Sequence, residues 1–168
     1  CRAMNPLIAI RLIVAILAFP LFAPSSGAAA ENLRSFNADS FEQIRAAHAG
    51  KPFVLAFWSI YCAPCREEMG LWRALRERYP GVPIVLVSTD LPPEWPKVQR
   101  FLAQYNPGPV EHWAFADEYV ERLRFSVDPK WRGELPRAYF FDARHAVQVR
   151  TGVEPQWMND WFARQLRK

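Results

Sequence analysis

The sequence predicts one α/β domain, a central mixed sheet with helices on both faces, and three observations carry that expectation. Phe53 to Trp58 and Ile84 to Val87 are unbroken apolar runs, the pattern of strands covered on both faces. Between them Met69, Trp72, Leu75 or Arg76, and Tyr79 follow helical spacing, so strand, helix and strand form a parallel pair with a crossover helix. Tyr139-Phe140-Phe141 and the alternating Ala146-Val147-Gln148-Val149-Arg150 then read as two strands joined by a hairpin, which makes the sheet mixed.

The remaining elements follow in chain order. Residues 1–30 contain Arg2 and Arg11, no acidic residue, and the apolar stretch Leu12 to Ala23. Ala28-Ala29-Ala30 before Glu31 completes a secretory signal peptide, with Met4 a candidate start. The alternative is an uncleaved signal anchor, since Pro6 to Pro24 spans nineteen residues interrupted by Arg11. Residues 31–168 form the exported domain. Glu31 to Asn37 reads as a short leader. Phe41, Ile44 and Ala47 or His48 mark a helix face, with Asp39 or Ser40 as N-cap and Gly50 as stop. In the proline-rich segment Asp90 to Pro109, the residues Val98, Phe101, Leu102 and Tyr105 sit at i, i+3, i+4 and i+7 of an amphipathic helix. Tyr119, Val120 and Leu123 suggest a short helix. Asp142 to His145 form the hairpin turn, with His145 suited to positive φ. Pro155 opens a last helix whose Trp157, Met158, Trp161 and Phe162 cover the sheet.

Composition narrows the function. The chain is 51% apolar, which excludes wholesale disorder. Two arginines leave with the signal peptide, reducing 21 Lys+Arg against 17 Asp+Glu to 19 against 17. A mixed surface so close to neutral does not point to nucleic acid. Of the three cysteines, Cys1 leaves with the signal, and Cys62 and Cys65 remain in an oxidising compartment. A pair that closes almost no loop is a poor structural staple.

The chemistry therefore centres on Cys62-Ala63-Pro64-Cys65, set directly after an apolar strand and before a helix. Free N–H groups and the dipole at a helix N-terminus favour a thiolate, the attacking species in disulfide exchange. Cys62 is the expected nucleophile and Cys65, one turn on, the buried resolving thiol. Pro64 occupies the first turn, where its missing N–H costs little. A structural zinc site needs four ligands, and His48, His112 and His145 show no ligand spacing, so no metal and no cofactor is expected.

The stretch Phe57-Trp58-Ser59-Ile60-Tyr61-Cys62-Ala63-Pro64-Cys65-Arg66-Glu67-Glu68-Met69 resembles the active-site signature F-W-x-x-W-C-x-P-C-R-x-E-x of the TlpA/ResA-like periplasmic thioredoxin family. Gly133-Glu134-Leu135-Pro136-Arg137-Ala138-Tyr139-Phe140-Phe141-Asp142 resembles that family's second signature, G-x-P-T-x-F-x-I-D. The resemblance runs in register from about Phe36 to Phe162. It implies a thioredoxin fold, a cis peptide bond at Pro136 facing the disulfide, and a periplasmic thiol:disulfide oxidoreductase acting as a monomer on protein disulfides. It further implies electrons from a membrane thiol-electron transporter of the DsbD or CcdA type. Ala63-Pro64 resembles the reductive members more than the Pro-His pair of strong oxidants. The alternatives are an oxidant or isomerase, or a copper or apo-protein chaperone. Copper-handling relatives use C-x-x-x-C with a histidine; here the spacing is one residue shorter, and His145 lies about 15 Å or more from the disulfide by strand length. A peroxidase would carry P-x-x-x-T/S-x-x-C, and the proline is missing.

Several positions depart from the family pattern or admit two readings. Tyr61 stands where the family has Trp. Arg137 and Ala138 replace threonines after Pro136. Ala56 occupies the place of thioredoxin's buried Asp, so any proton relay for the resolving thiol must come from elsewhere. Glu68 matches an acid that ResA-like reductases keep near the active site, or is simply a first-turn helix acid. Trp58 is a redox reporter or core packing. Trp131 is packing or a docking surface, with packing favoured.

Overall fold

The computed structural model describes residues 33–105, 107–152 and 154–167. The signal-peptide and anchor readings of residues 1–30 lie outside them. Among the described residues, no helix is long and apolar enough to cross a membrane.

Among the described residues thirteen elements follow one another: β1 (Arg34–Phe36), α1 (Ser40–Ala47), β2 (Phe53–Trp58), α2 (Ala63–Glu67), α3 (Met69–Arg78), β3 (Ile84–Ser88), a 3-10 turn (Pro92–Glu94), α4 (Trp95–Tyr105), β4 (Glu111–Phe115), α5 (Val120–Val127), β5 (Arg137–Phe141), β6 (Val147–Thr151) and α6 (Pro155–Leu166). The six strands form one sheet in the order β1-β4-β3-β2-β5-β6. β1, β4, β3 and β2 run parallel, and β5 is antiparallel to both β2 and β6. This is the thioredoxin-like α/β fold, with its mixed sheet as expected.

Period-two alternation divides the core between two faces. Val54, Ala56 and Trp58 of β2, with Leu86 and Phe140, face α3, α4 and α6. Phe53, Leu55 and Phe57, with Val85, Val87 and Tyr139, face α1 and α5. The second face is largely aromatic; Phe53 stacks on Phe141 at 4.6 Å, and Phe57 packs at a tilt against Trp131 at 4.5 Å. Because β2 is buried along its whole length, the loop at its C-terminal end springs from a strand enclosed on both faces.

Three expectations need correction. The leader Glu31 to Asn37 includes a strand: β1 pairs with β4, and buried Phe36 stacks on Phe115 at 5.5 Å. Strand β4 lies just beyond a segment read only as helix and loop. The crossover is two helices rather than one, with α2 and α3 divided at Glu68.

Candidate active site

Trp58 ends β2, and the chain turns through Ser59-Ile60-Tyr61 to Cys62, which stands at the N-cap of α2. Its extended backbone (φ −94°, ψ 101°) aims the sulfur back at the helix, where Sγ accepts the Cys65 N–H at 3.3 Å. Pro64 lies in the first turn. A disulfide joins Cys62 to Cys65, with the Cα atoms 5.3 Å apart. The two sulfurs are not equivalent: Cys62 is half-buried and Cys65 is 1% exposed. Only the first can meet a bulky partner directly.

The turn before Cys62 is fixed by Asp90, a buried residue two positions past β3. The hydroxyls of Ser59 and Ser88 donate to its carboxylate at 2.7 and 2.6 Å, and the Ile60 N–H donates at 3.0 Å. The Tyr61 N–H in turn donates to Ser59 Oγ at 3.1 Å. Sequence reasoning missed this hub. Its only local signal is the polar Ser88-Thr89-Asp90 ending an otherwise apolar strand. The Tyr61 ring is 69% exposed, its hydroxyl donates to the Glu94 carboxylate, and Lys97 Nζ donates to it at 3.1 Å. Trp58 is 3% exposed and packs on Phe101 at 5.3 Å, so core packing accounts for it.

On the Pro136 side of the disulfide the surroundings are mostly apolar. The Leu135–Pro136 bond is cis, as the resemblance implied. Pro64, Glu67, Glu68, Leu71, Leu135 and Pro136 line one open cleft of ≈ 580 Å³. Glu68 follows α2 and precedes α3, so it is not a first-turn acid of the helix that holds the cysteines. Burial pushes its carboxyl up to about 7.

The loop before Pro136 is organised on the other face of the sheet. Arg137 is buried, donates to Asp128 at 2.7 Å and to the Tyr139 hydroxyl at 2.6 Å, and so turns away from the cleft. Trp131 is buried and donates its Nε1–H to the Glu134 carbonyl at 3.1 Å, which agrees with packing and not with a docking surface. Gly133 has φ +106°, a backbone conformation that calls for glycine, and the Arg124 guanidinium fills the space beside it. His145 takes φ 61° in the β5–β6 turn, and its Nε2 meets the His48 carbonyl at 3.0 Å, at the end of β5 opposite Pro136. His48 lies 3.5 Å from Glu111 and stacks on Phe53. His112, on β4, is 5% exposed, and neither ring nitrogen has a hydrogen-bond partner among the described residues.

The sequence profile of the AhpC/TSA family matches residues 23–150. No curated protein matches the sequence. Among solved structures, a secreted Mycobacterium tuberculosis disulfide oxidoreductase homologous to E. coli DsbE is similar at TM-score 0.58 and 21% identity, covering 71% of this chain and 85% of that one. A secreted thiol-disulfide isomerase from Corynebacterium glutamicum gives TM-score 0.61 at 15% identity, covering 73% and 75%. A thiol:disulfide interchange protein of the thioredoxin family from Chlorobium tepidum TLS gives 0.58 at 19%, covering 73% and 84%. At such identities these likenesses bear on the fold.

Proposed function

The chain belongs to the AhpC/TSA family, and on that premise we propose that it is an exported thiol:disulfide oxidoreductase that reduces protein disulfides in the periplasm. Residues 1–30 are its signal peptide and 31–168 its working domain. The observation that carries the reading is the asymmetric pair: Cys62 half-buried at the N-cap of α2 with a backbone N–H on its sulfur, Cys65 enclosed behind it.

The reaction balances within the pair. In the reduced protein the Cys62 thiolate attacks one sulfur of a substrate disulfide, the other substrate sulfur leaves as thiolate, and a mixed disulfide forms. Cys65 then loses its proton and attacks Cys62 Sγ, which frees the second substrate thiol and closes Cys62–Cys65. Two electrons pass to the substrate. A membrane thiol-electron transporter of the DsbD or CcdA type returns them. Pro136 opposes the disulfide and shapes the substrate side of the cleft. Glu68, whose pKa raised to about 7 makes its carboxylate a stronger base than an ordinary glutamate, is the candidate to take the Cys65 proton, since Ala56 supplies no acid. Tyr61, Trp58 and Pro64 hold the loop.

Direction follows from how strongly the reduced form is stabilised. Ala63-Pro64 offers Cys62 neither a charge nor an imidazole, so the expected potential lies nearer thioredoxin's roughly −270 mV than DsbA's roughly −120 mV. A dithiothreitol or glutathione redox titration separates them; a value above about −160 mV would turn the assignment to an oxidant.

A further inference from the structure

We propose that the pole of the molecule opposite the disulfide is a docking surface for anionic phospholipid headgroups. An open cleft of ≈ 660 Å³ lies there, between the segment before β2, the β5–β6 turn and the end of α6. Lys51, Arg144, Arg164 and Arg167 line it, all exposed, and none is in an ion pair among the described residues. Some surface arginines pair with acids, as Arg34 with Glu111, Arg73 with Glu77 and Arg122 with Asp117, and others such as Arg66 and Arg100 have no ion pair among the described residues; what marks this cleft is four such cations gathered in one place. The one carboxylate lining the cleft, Asp142, accepts the N–H groups of Arg144 and Ala146 on Oδ1 at 2.8 and 2.9 Å, which holds it to the turn and leaves one acid facing four cations. Four unpaired cations around one committed carboxylate make an anion-seeking surface on a protein whose charges otherwise nearly cancel.

Three features favour a bilayer over another polyanion. Leu166, 47% exposed, sits among the cations, and an apolar side chain ringed by arginines suits a headgroup–acyl boundary. No aromatic residue lines the cleft, so a nucleic-acid strand would find no stacking platform. Chain polarity is the third. β1, β2 and β3 are parallel, so Leu33, which enters β1, lies at this same pole. The apolar stretch Leu12 to Ala23 precedes Leu33 by nine residues. Kept as an uncleaved anchor, that stretch would tether this pole beside the bilayer. β2 separates the cleft from the disulfide by about 20 Å, so a molecule resting on this pole leaves Cys62 facing outward.

The test is partition of the full chain onto two kinds of vesicle: phosphatidylcholine alone, and phosphatidylcholine with about one third phosphatidylglycerol. The apolar N-terminal stretch is present in every arm and cancels from the comparison. A basic side chain near an anionic surface contributes about 1 kcal/mol, a factor of about five. The wild-type chain should prefer the anionic vesicles, and Arg144→Gln/Arg164→Gln/Arg167→Gln should lower that preference about a hundred-fold. The variant should keep its disulfide-reducing activity and its unchanged binding to phosphatidylcholine. Raising salt to about 1 M should erase the wild-type preference. Equal binding to both vesicles, or a triple variant that keeps the preference, overturns the proposal. So does displacement by inorganic phosphate at constant ionic strength, which would mark a small-anion site. An oligonucleotide that competes away the vesicles would reassign the surface to nucleic acid.

Discussion

The disulfide has two unlike flanks. On the β3 side a buried carboxylate, Asp90, receives two hydroxyls and a backbone N–H and wires the turn Ser59–Tyr61 to the sheet. On the Pro136 side another carboxyl, Glu68, faces an apolar cleft, and burial alone raises it to about 7. The same functional group is made structural by its partners in one place and left protonatable in the other. A site that must hold a loop still and also move a proton uses a partnered carboxylate for the first task and a desolvated carboxyl for the second.

The largest effect breaks the pair between the flanks. Cys62→Ser should abolish disulfide reduction, because no thiolate remains at the accessible position. Cys65→Ser should still attack and then stall as a mixed disulfide with its substrate. Alkylation of the reduced protein at neutral pH should label Cys62 first; preferential labelling of Cys65 would overturn the assignment of roles.

That much was legible in the sequence, because the motif is local: an unbroken strand, C-x-x-C and a helix start within a dozen residues. The buried strands β2, β3 and β5 were legible for the same reason. β1 was not, because Arg34-Ser35-Phe36 has a single apolar residue, and it is a strand only through its pairing with β4 and the stacking of Phe36 on Phe115. β4 was hidden by Glu111 and His112, polar residues that burial, not pattern, makes part of a strand. Asp90 was missed because its partners Ser59 and Ile60 lie about thirty residues away in sequence. Glu68 was noticed, but only the fold separates a cleft carboxyl from a first-turn helix acid.

The wired flank is tested by Asp90→Ala. Removing the acceptor orphans the Ile60 N–H and two hydroxyls, which should cost about 3–4 kcal/mol in urea unfolding. Asp90→Asn keeps one acceptor oxygen and should lose about half of that. An Asp90→Ala protein of wild-type stability would mean that packing alone holds the turn.

His112 sharpens the contrast, because it lacks partners as the apolar flank does but has no reactive bond beside it. Burial lowers its pKa to about 4 from the ordinary 6.5, so the folded state keeps it neutral while the unfolded chain protonates. Stability from this group is therefore present above pH 6.5 and lost as pH falls through 6.5 toward 4, by about 3 kcal/mol in all. His112→Leu should match or exceed wild type at pH 7 and exceed it by about that amount at pH 4. Equal acid sensitivity in both proteins would trace the effect to other groups.

Glu68→Gln tests the bare flank with the opposite sign and the smallest expected change. The folded-state pKa is raised from 4.5 to about 7, so ionisation is penalised in the folded protein only. Wild-type stability should be fullest below pH 4.5 and decline as pH rises through 7, where the penalty saturates. Glu68 is partly open to solvent, so screening trims the total to about 1–2 kcal/mol. Glutamine has the same shape and no proton to lose. The variant should therefore equal wild type at pH 4 and be the more stable at pH 8. A structural filler would end there. If Glu68 also takes the Cys65 proton, the rate at which the mixed disulfide resolves should rise through pH 7 in wild type and lose that inflection in Glu68→Gln. Stability that changes as expected while the kinetic profile stays put would leave Glu68 a desolvated neighbour of the disulfide and return the proton to solvent.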